Sequence, residues 1–527
     1  MRGPTPGAGP MAESAPEPLQ GAARAWGTLA LSSATFMNVL DSSIANVSLP
    51  AIAGDLGVSP NQGTWVITSF AVANAIAVPL TGWLAQRFGQ VRLFVFSVLM
   101  FVLASWLCGI APNMTVLIAC RALQGFVAGP MIPLSQTLLL ASYPRALAGL
   151  AMALWSMTTL IAPVLGPLLG GWITDNLSWP WIFYINLPIG LLAAAAAWAI
   201  YRPRESVVRK LPIDAVGLTL VVLWVGALQI MLDIGKEHDW FHSSTVVACA
   251  VVAAVAFSFF VVWELTDDHP VVDLTLFASR NFWAGAVVTA IGYGLFFGNV
   301  VLLPLWLQQY MGYTATDAGL ALAPVGLLAI VLSPLVGKNI QRVDPRQFAS
   351  FAFLVFGLVL WMRSGFNTQA DFTTIMIPTV VQGIAMAFFF IPLVTITLAG
   401  ISPARIPLAS GVSNFMRITA GAIGTSVMTT LWEDRAAQHH AHLAEAVVQG
   451  RWAADSALAG LQGAGLDAQQ ALAQVNRMVD QQAFMLAVSD LFLLSSLLFV
   501  ALIPLVWLTR PRAAAAAGAG DAAAGAH

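Results

Sequence analysis

Three charged residues stand inside apolar stretches long enough to cross a bilayer: Asp41 in MNVLDSSIANVSLP, Arg121 in LIACRALQGFVAG and Arg417 in SNFMRITAG. A charge in hydrocarbon is expensive, and by default it is a functional residue facing a bundle interior or a water-filled path. At 1.5 Å per helical residue, Asp41 sits about 12 Å and Arg121 about 9 Å below the same membrane surface, so the two can pair. Burial favours the neutral carboxyl and a nearby guanidinium the ionised one, so an Arg that moves would switch Asp41 between proton-bound and proton-free forms. Arg itself stays charged, and can tune a proton site without carrying the proton. The alternative is a static pair that only fixes packing.

Polar and small residues recur around these charges at helical spacing. Asn38, Asp41, Ser42 and Ala45 share one face, as do Arg121, Gln124, Ala128 and Ser135. Both faces are expected to line a cavity, although Asn38 and Gln124 also suit ordinary interhelical hydrogen bonds. Trp155, Thr159, Ala162, Gly166 and Gly170 form a third stripe with Pro163 and Pro167 interleaved. Small residues let helices approach and Pro kinks them, so this stripe suits gating or close packing. Arg417 shares its stripe with Ser410, Asn414, Gly421 and Gly424. No acidic partner is obvious in the later spans, which leaves a backbone carbonyl, a distant carboxylate or an anionic substrate. Tyr293, Phe296 and Phe297 supply either an apolar binding wall or packing.

The elements that must hold these residues follow from composition. Of 527 residues, 58% are hydrophobic and 9% charged, against about a quarter charged in soluble proteins. This is a polytopic membrane protein. The net charge of -2 and the lack of a basic tract argue against nucleic acid as a partner. Cys108, Cys120 and Cys249 fall inside apolar runs and suggest neither disulfides nor a metal site.

A spanning helix needs about 20 mostly apolar residues, and such runs occur near 26–48, 64–84, 93–111, 115–138, 149–173, 182–201, 213–232, 246–265, 282–306, 317–337, 349–364, 374–398, 407–430 and 483–508. Fourteen spans put both termini on one side. Loops on that side hold Arg87, Arg92, Arg145, Arg202, Arg204, Arg209, Lys210, Arg280, Lys338, Arg342, Arg346 and Arg405, whereas the short opposite loops hold only Lys236 and Arg363. The bias predicts cytoplasmic termini. Residues 1–24 and 509–527, rich in Ala, Gly and Pro, are expected to be disordered cytoplasmic tails.

The two ends of the chain repeat each other. LQGFVAG at 123–129 matches VQGIAMA at 381–387, and APVLGP at 162–167 matches AGAIGT at 420–425, both 258 residues on. GWLAQRFGQVR from Gly82 matches GKNIQRVDPR from Gly337. Spans 1–6 and 9–14 are thus repeats, with 7 and 8 inserted. Aligning Pro50 with Pro304 places Leu295 opposite Asp41, so the carboxylate belongs to the first half only.

LDSSIANVSLP, RALQGFVAGP, APVLGPLLGG, WPWIFYINLPIG and TTLWEDRAAQHHAHLAE, in this order on these spans, resemble the major facilitator superfamily, specifically its fourteen-helix drug/proton antiporters, and are most similar to EmrB-type multidrug exporters. The resemblance covers nearly the whole chain. It implies an all-α integral membrane protein with the major facilitator fold: an N-terminal six-helix bundle at 25–201, a linker with two inserted helices at 202–280, and a C-terminal six-helix bundle at 281–508. It also implies Asp41 and Arg121 as the proton-coupling pair, with Asn38, Gln124, Trp155, Phe296, Phe297, Asn414 and Arg417 toward substrate. Gly166, Pro167 and Gly170 would bend and seal the fifth span. Work would come from a proton gradient, with no cofactor and no enzymatic step. One departure is Gln86, with Gln341 in the second half, where the superfamily loop carries an acidic residue; Arg87 and Arg92 remain free to meet a helix C-terminus or simply satisfy the positive-inside bias.

Residues 431–482 form the one long external segment. Asp467 and Gln470 make a capping-box pattern ahead of a helical stretch, and His439, His440 and His442 lack the i, i+4 spacing of a metal pair. DIGKEHDWFH and WELTDDHP read as solvated loops. In EmrB-like systems a periplasmic adaptor and an outer-membrane channel act with the exporter, and the segment is the candidate docking surface. The function expected is proton-driven export of lipophilic toxic compounds across a bacterial inner membrane. The rivals are export of fatty acids or other lipophilic anions and, less favoured, a non-transporting sensor or scaffold.

Overall fold

A computed structural model describes residues 17–58, 63, 65–144, 147–208, 214–235, 238–267, 270, 272–322, 324–340, 342–402, 405–445, 447 and 452–510. Among them every regular element is helical. The long helices in chain order are α1 Gly21–Asp55, α2 Trp65–Phe88, α3 Gln90–Gly109, α4 Met114–Ser142, α5 Ala148–Asn176, α6 Trp181–Arg204, α7 Ala215–Ile234, α8 Ser244–Thr266, α9 Arg280–Tyr310, α10 Asp317–Asn339, α11 Pro345–Ser364, α12 Phe372–Thr397, α13 Ile406–Ala444 and α14 Ala468–Trp507. Eleven of these, among the described residues, are apolar and long enough to cross a membrane; α1, α5 and α13 are helices of sufficient length outside that count. Helix α4 is interrupted at Gly129 and Pro130, where Pro withholds a backbone donor.

Three expectations change. The chain is helical from Gly21, so the first tail is shorter than 1–24; residues 1–16 and 511–527 lie outside the described residues, as do Arg145, Arg209, Lys210, Lys236 and Gln341. The external segment, read as helical, is continuous with the bundle helices. Helix α13 runs on unbroken to Ala444 and α14 starts at Ala468, with a short helix, Trp452–Gly463, between them. Hydropathy drops after 430, yet a helix satisfies its own backbone in water as well as in lipid. The predicted capping box does form: Asp467 Oδ1 accepts from the Gln470 amide at 2.7 Å and Gln470 Oε1 from the Asp467 amide at 3.1 Å. Arg363, read as a loop residue, is an α11 residue only 1% exposed. WELTDDHP likewise begins inside α8, with Glu264 buried and accepting from the Val272 amide.

Lipid offers no hydrophobic drive between helices, so close approach and ring packing must hold them. A Cβ on Gly125 of α4 would collide with the Phe70 carbonyl of α2, and one on Gly383 of α12 would lie 2.8 Å from the Val325 carbonyl of α10. These positions are 258 apart, so the sequence repeat is also a packing repeat. In the second half Phe353, Phe356, Phe389 and Phe499 stack into one cluster, with Phe356 and Phe499 ring centroids 4.8 Å apart. Helix α7 lies against α2 and α13 through Val221 and Trp224, and α8 packs on α7 through Phe260 and presents Val251, Val255, Phe259 and Val262 outward.

The halves meet at the end that carries both termini. A Cβ on Gly337 of α10 would stand 2.6 Å from the Gly149 carbonyl oxygen of α5. A Cβ on Gly82 of α2 would stand 2.9 Å from Leu408 Cα of α13. The molecule is therefore closed there.

Candidate functional site

Asp41 on α1 is 1% exposed, and among the described residues every hydrogen-bond partner of its carboxylate is a donor. Arg121 Nη1 of α4 donates to Oδ2 at 2.5 Å, Gln124 Nε2 to Oδ1 at 2.9 Å, and Asn186 Nδ2 of α6 to Oδ1 at 2.8 Å. Arg121 is held on all sides. Its Nη1 also donates to Gln124 Oε1 at 2.6 Å and its Nε to the Val66 carbonyl at 3.0 Å, while the guanidinium lies 4.3 Å from the Phe70 ring centroid and 5.5 Å from that of Phe183. Ser105 of α3 accepts from Gln124 at 2.8 Å and from Asn186 at 3.2 Å. Four helices thus converge on one carboxylate.

The pairing of Asp41 with Arg121 follows the depth argument. The expected cavity face does not: Gln124 is buried in this cluster, and Asn38 turns to donate to the Ala128 carbonyl at 3.2 Å. Helix azimuth decides this, because the partners on α3 and α6 draw the α4 amide inward. Asn186 was overlooked although it stands in the quoted WPWIFYINLPIG, where an amide among apolar neighbours was the available signal.

The second half keeps part of the arrangement. Arg363 Nη2 of α11 donates to Gln382 Oε1 at 2.6 Å and to Thr379 Oγ1 at 3.2 Å. Gln382 and Thr379 lie 258 residues after Gln124 and Arg121, and Arg363 lies 258 after Ser105. The arginine has moved to the neighbouring helix, and Leu295 is the residue aligned with Asp41 in the sequence repeat. The Arg–Gln contact persists there with no carboxylate paired to the arginine among the described residues.

A small cavity of about 10 Å³, room for about one water, lies in the second half against Gln136 of the first, lined by Thr289, Phe390, Val394, Ser410, Asn414 and Arg417 among others. Arg417 Nη1 donates to the Tyr293 hydroxyl at 2.7 Å and Nη2 to Asn414 Oδ1 at 2.7 Å. The guanidinium sits 4.6 Å from the Tyr293 ring centroid and 6.0 Å from that of Trp155. Its Nε is buried with no acceptor, and no carboxylate lies within ion-pairing distance among the described residues. Trp155 is fully buried, donating to Ser135 at 3.0 Å. Phe297 stacks on Tyr293 at 5.0 Å and Phe296 packs edge-on against both, so these rings back the arginine, and Phe390 rather than either lines the pocket. Of the seven substrate-facing residues expected, Asn414 and Arg417 line the pocket.

The helix-packing residues divide by surroundings. A Cβ on Gly166 would clash with Ser43, and one on Gly170 would lie 2.9 Å from the Ile44 carbonyl, so α5 seals onto α1. Helix α5 continues unbroken through both prolines; the side chain of Pro167 lies outside the described residues. Arg92 meets no helix C-terminus. It pairs loosely with Glu205 at 3.9 Å, and that carboxylate caps α3 by accepting from the Val91 and Arg92 amides at 3.0 and 2.9 Å. Arg87 lies over the Trp83 and Phe88 rings at 5.7 and 5.9 Å. A carboxylate at the start of α3 is thus supplied by Glu205, from beyond α6.

Comparison with known proteins fits this geometry. The family model described as Major Facilitator Superfamily matches residues 31–425. The chain is 49% identical over 507 residues to the multidrug export protein EmrB of Escherichia coli strain K12, covering 96% of this chain and 99% of that one. It is 49% identical over 494 residues to the fatty acid resistance protein FarB of Neisseria gonorrhoeae, covering 94% and 97%. Among solved structures, the human organic anion transporter MFSD10 aligns over 91% of this chain and 100% of its own with a TM-score of 0.54 and 14% identity, a likeness of fold alone. A duplicated helical bundle, a carboxylate confined to its first half and a family match over most of the sequence converge: this multi-pass membrane protein belongs to the Major Facilitator Superfamily.

Proposed function

We propose that the protein is a proton-coupled antiporter that exports lipophilic drugs or toxic compounds across a bacterial inner membrane by alternating access. The observation that carries this is the Asp41 cluster: one buried carboxylate hydrogen-bonded, among the described residues, only by donors. Such a shell suits the ionised form. A proton arriving on Asp41 turns an acceptor into an O–H donor that faces N–H groups, so at least one neighbour must move. Those neighbours sit on α4 and α6, and proton binding is thereby tied to helix movement. Two six-helix bundles, 25–201 and 281–508, would rock about the midplane with 202–280 inserted, in fourteen crossings with cytoplasmic termini. At about 2.3 kcal/mol per charge per 100 mV, one or two inward protons drive steep accumulation. No enzymatic step is required. The names of the Escherichia and Neisseria relatives support the cargo class.

The extended α13–α14 pair, residues 431–482 included, is the surface proposed to meet a periplasmic adaptor and an outer-membrane channel. A second cargo, fatty acids or other lipophilic anions, is favoured by Arg417, a pocket-lining cation with no carboxylate beside it among the described residues. Loss of anion export in Arg417→Ala, with neutral dye export retained, would select it.

The test is reconstitution in liposomes under a pH gradient, following a lipophilic dye and internal pH. Wild type is expected to couple the two and Asp41→Asn to abolish the coupling. Dye-driven proton flux that survives in Asp41→Asn would move the proton site elsewhere. Absence of flux in wild type would favour another cargo or a non-transporting role.

A further inference from the structure

One residue outside the proton cluster joins the halves through the pocket itself. Gln136 on α4 is 3% exposed, and its Oε1 accepts twice from α13: from Ser410 Oγ and, at 3.0 Å, from Asn414 Nδ2. Asn414 holds the other end of the connection, because its Oδ1 accepts Arg417 Nη2 at 2.7 Å. The first half therefore reaches the pocket arginine by hydrogen bonds through the Asn414 amide, beside the ring of Trp155. Asn414 has one carbonyl and one NH2, and it spends the first on Arg417 and the second on Gln136 and the Ser410 carbonyl. A ligand acceptor that draws Arg417 aside releases the carbonyl of Asn414. The amide is then free to turn, and its bond to Gln136 goes with it.

We propose that Gln136 is a positioning residue that clamps α4 onto α13 while the pocket is empty, so that occupancy at Arg417 controls the contact between the halves. This rests on the antiporter reading given above. The clamp lies on the side where Gly149 meets Gly337 and Gly82 meets Leu408, so it stabilises the state closed at the terminal end. Without it, a carrier holding neither proton nor substrate can change state, and protons slip. Two neutral hydrogen bonds of ordinary net strength correspond to at least about a ten-fold change in that population.

The experiment measures proton leak without any substrate. Purified protein in liposomes, with a pH-sensitive fluorophore inside and a potassium–valinomycin potential imposed, is compared for wild type, Gln136→Met and Gln136→Glu. Met fills the volume without accepting; Glu keeps acceptor oxygens at the same reach. The expected result is a leak per folded molecule raised about ten-fold in Gln136→Met and returned to the wild-type level in Gln136→Glu. A residue that only supported the fold would lower the amount of active protein and leave leak per molecule unchanged, and that result overturns the proposal. Ser410→Ala, which removes one of the two donors, gives a smaller rise and decides the matter if Gln136→Met does not purify. Coupled flux of rhodamine 6G is measured in parallel. Coupling in wild type with no excess leak in the variants removes the clamp and keeps the antiporter, whereas no coupling and no leak anywhere removes both.

Discussion

At the scale of single residues, the informative feature of Asp41 is what surrounds it. Arg121, Gln124 and Asn186 all present N–H groups, and hydrogen bonds to a charged group are each worth about 1.5–3 kcal/mol net. Asn186→Ala removes one donor and orphans part of the Ser105 contact. Proton-coupled dye flux is expected to fall roughly ten-fold or more, measured in the same liposomes as Asp41→Asn, with the protein still eluting as a single species. Flux within two-fold of wild type would show that Asn186 merely packs. Asp41 and Arg121 were legible because a charge in an apolar run has few innocent explanations. Asn186, Ser105 and Gln136 were not, because neutral polar residues are common in spans and their partners depend on how each helix is rotated. Arg363 misled for a related reason: it lies one residue from the end of α11, and nothing in the sequence says whether its long side chain turns outward or tucks against Gln382.

At the scale of elements, helix existence was readable from hydropathy and ends were readable from caps. Asp344 shows how an end is fixed. Its carboxylate accepts the Arg346 amide at 3.0 Å and pairs with that residue's guanidinium at 2.6 Å, starting α11 on the loop after α10. The hydrogen-bonded Arg346 guanidinium holds Asp344 below its ordinary range. The sign follows: the stabilising contribution is full above the usual carboxylate range and is lost as pH falls through the lowered folded value. Asp344→Ala is therefore expected to cost about 1 kcal/mol near neutral pH and nothing in strong acid, read as thermal midpoints of the detergent-solubilised protein across pH. A gap between variant and wild type that persists unchanged into strong acid would remove the charge from the explanation. The external stretch reads as helical, and the structure joins it to the bundle helices. A drop in hydropathy marks where a membrane ends, and α13 continues past it because its backbone bonds are indifferent to the surrounding solvent.

At the scale of the whole molecule, repeat and closure were unequally visible. A 258-residue offset declared the duplication, but which end of the seam is shut is a property of coordinates alone. The close approach of Gly149 and Gly337 makes closure testable. Gly337→Ala places a methyl 2.6 Å from the Gly149 carbonyl oxygen, and overpacking of that kind costs roughly 1–3 kcal/mol. Dye export is expected to drop about ten-fold or more while yield and elution stay normal, because the cost falls on one state of the cycle. Equal loss of yield and export would point to general misfolding instead. The length of α13 carries a last consequence. Its 39 residues span about 58 Å, nearly twice the thickness of a bilayer core of about 30 Å, and the same unbroken rod that bears Asn414 and Arg417 ends at Ala444. From Arg417 to that tip is about 40 Å, so each degree of tilt at the pocket swings the tip by about 0.7 Å. The helix is a lever with its short arm at the pocket, and a small tilt there becomes a displacement several ångströms wide at its tip.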